Sequence, residues 1–159
     1  MTSKPKKNYK RKAPGKHNAR LAAVQALYQM EITDRGANGV IEEFLQERLQ
    51  PEHLDGSAID RTFFKNLVET LVQNQANIDQ AIRDHLSGGW RLSRVDATLR
   101  AILRCGSCEL LVLRDTPMAV VIDEYVDIAK SFFDAKESGF VNATLDAIGK
   151  NLSQPSTSA

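Results

Sequence analysis

WRLSRVDATLRAILRCGSCELLVL, from Trp90 to Leu113, is the stretch whose reading decides the fold. Val95, Leu99, Ile102, Gly106, Leu110 and Leu113 recur at intervals of three and four, or multiples of them, which lays one apolar stripe along a helix of about five turns. Ser93 and Asp96 supply its start signature, because a short side-chain oxygen accepts from the open N–H groups of a first turn. A stripe this regular belongs at the centre of a core. Upstream, Ile78, Ile82 and Leu86 mark a helix broken at Ser87, Gly88 and Gly89. Before it, Phe64, Leu67, Val68, Leu71 and Val72 mark another, with Ser57 and Asp60 as cap and dipole-favoured acid. Val40, Ile41, Phe44, Leu45 and Leu49 form a stripe stopped near Pro51, and Leu21, Val24, Tyr28 and Ile32 form one from Asn18 to around Arg35 and Gly36. Downstream, Thr116 and Pro117 read as a cap and a proline at the first helical position. They precede Val121, Tyr125, Ile128 and Phe132, and then a last helix with Phe140, Val141, Leu145 and Ile148, over roughly 138–152. No segment alternates with period two for long enough to make a strand. The pattern predicts an all-α fold of about seven helices packed in bundles.

Charge divides the chain unevenly. The formal net charge is only +1, yet Lys4, Lys6, Lys7, Lys10, Arg11, Lys12, Lys16 and Arg20 fall in the first 20 residues with no acid among them. The remaining thirteen basic residues face twenty acids, a body charge of −7. A basic run on an acidic body seeks polyanions; the other reading of such a run is a solubilising tail. Without hydrophobic periodicity, residues 1–15 are expected to be a disordered basic extension, and residues 153–159 a disordered tail around a single domain at 16–152. The N-terminal run has no apolar segment behind it to make a secretory signal, and no stretch is apolar enough to span a bilayer, so a cytoplasmic protein is expected. Two cysteines cannot make the disulfide framework of a small secreted domain, which fits a reducing compartment.

Catalytic chemistry finds little support. Cys105-Gly106-Ser107-Cys108 has redox spacing, but it lies inside an amphipathic helix with no exposed N-terminus to activate a thiol, so packing is the expected role. His17, His53 and His85 are scattered, and no metal-ligand spacing or glycine-rich phosphate loop is present. Asp123, Glu124 and Asp127 read as a solvated face in the first turns of a helix. What remains is RNA binding. Single strands are recognised by cations on phosphate and by planar groups on bases; the candidates are Lys16, His17, Arg20 and Tyr28 on the first helix and Phe140 and Asn142 on the last. For Tyr28 and Phe140 a place in the core is the alternative.

Four stretches, in order and naturally spaced over residues 16–150, resemble the NusB family of bacterial transcription antitermination factors: ARLAAVQALY from Ala19, WRLSRVDATLRAILRCGSCELL from Trp90, Thr116-Pro117 through VVIDEYVDIAKSF to Phe132, and GFVNATLD from Gly139. The resemblance implies two stacked helical bundles and a non-enzymatic factor without metal or cofactor. Such a factor binds the boxA element of ribosomal RNA leader transcripts and pairs with NusE, the small-subunit ribosomal protein, in the RNA polymerase antitermination complex. It assigns RNA contact to Lys16, His17, Arg20, Tyr28, Phe140 and Asn142, and the NusE surface to His85, Arg94, Asp96 and Arg100. Members occur alone and paired, which leaves a homodimer open. Related helical domains also front ribosomal RNA methyltransferases, but these 159 residues contain no glycine-rich βαβ region for a methyl donor. A self-associating helical interaction module is the third reading. This chain departs from the family in having Lys16, His17 and Asn18 where an arginine-dense run is usual, and Ala143 where glycine is usual. Lysine lacks the planar fork of arginine, so a more purely electrostatic contact is expected.

Overall fold

The computed structural model describes residues 14–49, 59–86 and 89–153. The basic run up to residue 13, the stop at Pro51, the cap at Ser57, the break at Ser87 and Gly88, and the tail after 153 lie outside them. Seven helices follow in order: α1 (Pro14–Thr33), α2 (Ala37–Glu43, prolonged by a π turn over Phe44–Arg48), α3 (Arg61–Gln73), α4 (Gln75–His85), α5 (Ala97–Cys108, prolonged by a π turn over Glu109–Leu113), α6 (Met118–Phe132) and α7 (Ala135–Ser153). No strand occurs among the described residues.

The two bundles meet on α5. Helices α1, α2 and α3 pack on one another, α6 packs on α7, and α5 touches α1, α3, α4, α6 and α7. Val95, Leu99, Ile102, Gly106 and Leu110 are buried, as the stripe predicts, Leu113 is half-buried, and Leu103, Cys105 and Cys108 beside the stripe are buried too. Gly106 brings α5 close to its neighbours: a Cβ there would lie 2.8 Å from Leu145 Cδ1 and 3.3 Å from Tyr125 Cδ2. The stripe reads through Gly106 because a missing side chain is itself the packing element. Among the described residues no helix is long and apolar enough to cross a membrane.

Four helix starts differ from expectation, each for a local reason. Helix α1 begins at Pro14, four residues before Asn18, since proline suits a first turn whose N–H groups are unused. The Gly15 carbonyl accepts the Asp60 N–H at 3.0 Å, tying that apolar-poor turn to the start of α3. Asp60, read from sequence as a dipole-favoured acid, caps α3, accepting from the Phe63 N–H at 2.9 Å. At α5 only Asp96 caps, accepting from Thr98 and Leu99, while Ser93 lies in a 3₁₀ turn over Leu92–Arg94. At α6 Pro117 takes the cap position and Met118 the first helical one; the Thr116 hydroxyl accepts instead from Arg20 Nη2 at 3.4 Å.

Candidate nucleic-acid and partner surfaces

The start of α1 is fixed by a buried charge network. Arg20 reaches across to the π turn after α5, donating from Nε to Glu109 Oε2 at 2.6 Å and from Nη2 to Glu109 Oε1 at 3.0 Å, a bidentate fork. Its Nη1 donates to Glu124 Oε1 on α6 at 3.3 Å. The same carboxylate oxygen lies 2.8 Å from His17 Nδ1, and His17 Nε2 lies 3.9 Å from Asp127. The Tyr125 hydroxyl donates to Glu109 Oε2 at 2.6 Å. Phe63 of α3 roofs the cluster, with the Arg20 guanidinium 5.1 Å and the Lys16 ammonium 5.3 Å from its ring centroid. Burial alone would lower the pKa of Arg20, but the hydrogen bond and charge of Glu109, with Tyr125 and Glu124, hold it above its ordinary value. Burial, then the charge of Glu109, pushes the Tyr125 phenol well up. The network welds α1, α5 and α6 together.

This placement alters the roles drawn from sequence. Arg20 is 3% exposed and His17 9%, with their polar atoms committed to carboxylates, so neither faces solvent as a phosphate contact would. Glu124 is buried and serves this network, which corrects the solvated-face reading of that acid. Glu109 and Phe63 were missed. The available signal for Glu109 was a charge three residues after Gly106, on the buried side of the most regular stripe. Lys16 is half-buried beside the network, and Asn142 is exposed. Phe140 is half-buried and stacks on Trp90 with centroids 4.2 Å apart.

Tyr28 is 42% exposed, against the core alternative, and lies beside Ile32 at 59% and Phe132 at 43%. Together with Val24, Gln25, Gln29, Thr33, Arg48 and Thr98 these residues line a groove of about 440 Å³ between α1, α5 and α6. Of the residues assigned to a protein partner, Asp96 is spent as the cap of α5. Arg100 donates to the carbonyls of Leu92 and Val95 and to Glu31. His85 lies half-buried with Nδ1 2.8 Å from the Ala81 carbonyl, and Arg94 is exposed. These four do not form one continuous open surface of free side chains.

Both cysteines are free and buried. Burial, then the neighbouring Cys108 and Glu109, pushes the Cys105 thiol well up, and burial, then Glu109, pushes Cys108 up to about 12. These are packing thiols, the opposite of a redox nucleophile. Among the described residues no cluster of His, Cys, Asp and Glu suited to a metal ion occurs.

Two helical bundles joined on a central helix, with a basic N-terminal run leading into a network-anchored first helix, define a class of small two-bundle helical proteins. The chain belongs to the NusB family, whose model matches residues 17–150. It is 54% identical over 136 residues to the transcription antitermination protein NusB of Caulobacter vibrioides, covering 84% of this chain and 91% of the relative. Its identity with the Sinorhizobium fredii protein of the same name is 45%, covering 96% of each. Among solved structures it is similar to Thermotoga maritima NusB (31% identity, TM-score 0.71, covering 84% of this chain and 89% of that one). It is also similar to a chain from a crystal structure of antitermination factors NusB and NusE in complex with dsRNA (30% identity, TM-score 0.72, 85% and 96% covered).

Proposed function

We propose that the protein is a non-catalytic, cytoplasmic RNA-binding antitermination factor. It holds boxA-type single-stranded RNA of ribosomal RNA leader transcripts together with NusE, so that RNA polymerase continues through terminators. The observation that carries this reading is the anchoring of α1. The Arg20, Glu109, Glu124 and His17 network fixes the point from which six lysines and arginines at positions 4–12 depart, with Lys16 at its mouth. A polyelectrolyte contact of this kind supplies affinity by counterion release. Lys16 and Asn142 contact the RNA directly, while His17 and Arg20 position α1, the helix that presents Lys16.

In this reading NusE takes the groove of Tyr28, Ile32 and Phe132 in place of His85, Arg94, Asp96 and Arg100, and Tyr28 moves from the RNA contacts to the partner's, because exposed aromatic and aliphatic side chains grouped in one groove supply the anchors of a protein interface. The acidic body suits a basic ribosomal protein. The test is fluorescence anisotropy of a boxA-like RNA and a scrambled control, each with and without NusE, at two salt concentrations. Preference for the boxA-like strand that grows with NusE is expected. Equal, steeply salt-dependent binding of both strands, indifferent to NusE, would overturn the reading. Tyr28→Ala should lower NusE affinity at least about tenfold, as loss of an aromatic anchor does, while leaving the melting curve nearly unmoved.

A further inference from the structure

Asp60 holds two helices by two different atoms. Its backbone N–H donates to the Gly15 carbonyl in the first turn of α1 at 3.0 Å, and its carboxylate Oδ1 accepts from the Phe63 N–H at 2.9 Å as the cap of α3. Gly15 lets the first of these form at close range, since a Cβ there would lie 3.3 Å from the Asp60 nitrogen. Lys16 follows directly, and its ammonium lies 5.3 Å from the centroid of the Phe63 ring. A circuit therefore closes through Gly15, Asp60, Phe63 and Lys16, in which the backbone of the lysine and the ring beside its ammonium are fixed to one another. Both side chains are half-buried and line an open groove of about 470 Å³ along α3. Among the described residues Lys16 makes no ion pair. A ring holds an ammonium through its charge and takes none of its donors, so the N–H groups of Lys16 stay free for a phosphate.

We infer that Phe63 is a positioning residue for RNA binding, which acts through Lys16 by holding its ammonium at the mouth of this groove; the inference rests on the RNA-binding reading above. A lysine side chain loses rotamer freedom when it closes on a phosphate, and the loss is smaller when the side chain is already held. The ring itself is engaged by cations, with the Arg20 guanidinium 5.1 Å and the Lys16 ammonium 5.3 Å from its centroid, so its part is to order the lysine and not to stack on a base. The contacts that the family resemblance assigns lie on α1 and α7. Phe63 brings the first turn of α3 into the same surface.

The full-length protein is titrated with a dye-labelled, single-stranded boxA-like RNA and with its scrambled control, and anisotropy is followed at several salt concentrations. Phe63→Leu should weaken RNA binding about two- to tenfold and leave the slope of log affinity against log salt unchanged, because the ammonium still reaches its phosphate. Lys16→Ala should weaken binding and make that slope shallower by about 0.7. In the double variant the leucine should cost nothing beyond Lys16→Ala, since what Phe63 supplies passes through the lysine, and Phe63→Tyr, which keeps the ring, should bind as wild type does. A ring-fluorinated phenylalanine at position 63 keeps the shape and drains the π face, so it repeats the test with the packing nearly unaltered, and a thermal melt verifies that each variant is folded. An equal loss with and without Lys16 would overturn the inference, since Phe63 would then act through Arg20 and the anchoring of α1. Unchanged binding in Phe63→Leu and in the fluorinated protein would overturn it as well. Absence of a preference for the boxA-like strand, with the coupling between Phe63 and Lys16 intact, would sink the antitermination reading alone, and no RNA binding at all would sink both.

Discussion

Arg20 shows how a residue chosen for contact with a partner becomes part of the scaffold. Its side chain is 4% exposed and that of Glu109 2%, so removing the guanidinium leaves a buried carboxylate that keeps the Tyr125 hydroxyl as a donor. Breaking a buried pair from one side costs about 3–5 kcal/mol. Arg20→Ala is therefore expected to lower the unfolding free energy obtained from urea titration by that much, and Arg20→Met/Glu109→Gln to recover a sizeable part, because no unpaired charge then remains at position 109. Equal loss in both variants would refute the account. Glu31 gives a milder, pH-dependent case. The hydrogen bond from Arg100, and then the charges of Arg100 and Arg104, hold its carboxyl below the ordinary value of 4.5. A depressed carboxylate contributes stability that is present above 4.5 and lost as pH falls through its folded value. As its side chain is 35% exposed, the contribution is below about 1 kcal/mol. The stability gap between wild type and Glu31→Gln, from urea unfolding at successive pH values, should be present at neutral pH and close in acid; a gap that widens in acid contradicts the ion pairs.

At the scale of the helix, α5 carries the most consequence, and it was also the most legible. Its stripe, its Asp96 cap and its central place all follow from spacing, because every neighbour it packs against adds to the same 3.6-residue signal. Gly106→Ala tests that packing: the new Cβ would meet Leu145 Cδ1 at 2.8 Å in a fully buried setting, and overpacking of this kind costs about 1–3 kcal/mol. Adding Leu145→Ala should remove the clash, so the double variant should lose less than the sum of the two singles in denaturant unfolding; simple additivity would show that the contact is not shared. Elsewhere the sequence spoke less clearly. The first turn of α1 has no apolar residue to announce it and is held by a backbone bond from Asp60 to Gly15. Of the candidate residues, Tyr28 and Asn142 are exposed and Lys16 half-buried, as open contacts require. The roles of His17 and Arg20 were not legible, since Glu109 and Glu124 reach them only after a separation of 89 to 107 residues is closed. Local periodicity carries no record of such a pairing.

Over the whole molecule, the two bundles share α5 in place of a linker, and this bears on how the protein unfolds. Helices α1 and α3 of one bundle and α4, α6 and α7 of the other all bury surface against it, and the Arg20 network joins α1 to both α5 and α6. Losing either bundle would expose one side of α5, including Ile102 and Leu103, and strand the carboxylates of Glu109 and Glu124. Each of these costs falls on the bundle left behind, so a half-folded intermediate is disfavoured and residues 16–152 should melt as one cooperative unit. Trp90 reports the turn before α5 and its stacking partner on α7, whereas far-UV circular dichroism reports all seven helices. Urea transitions followed by the two probes should coincide in midpoint and slope. If tryptophan emission changes at a different urea concentration from helicity, the bundles separate before they unfold, and α5 belongs energetically to only one of them.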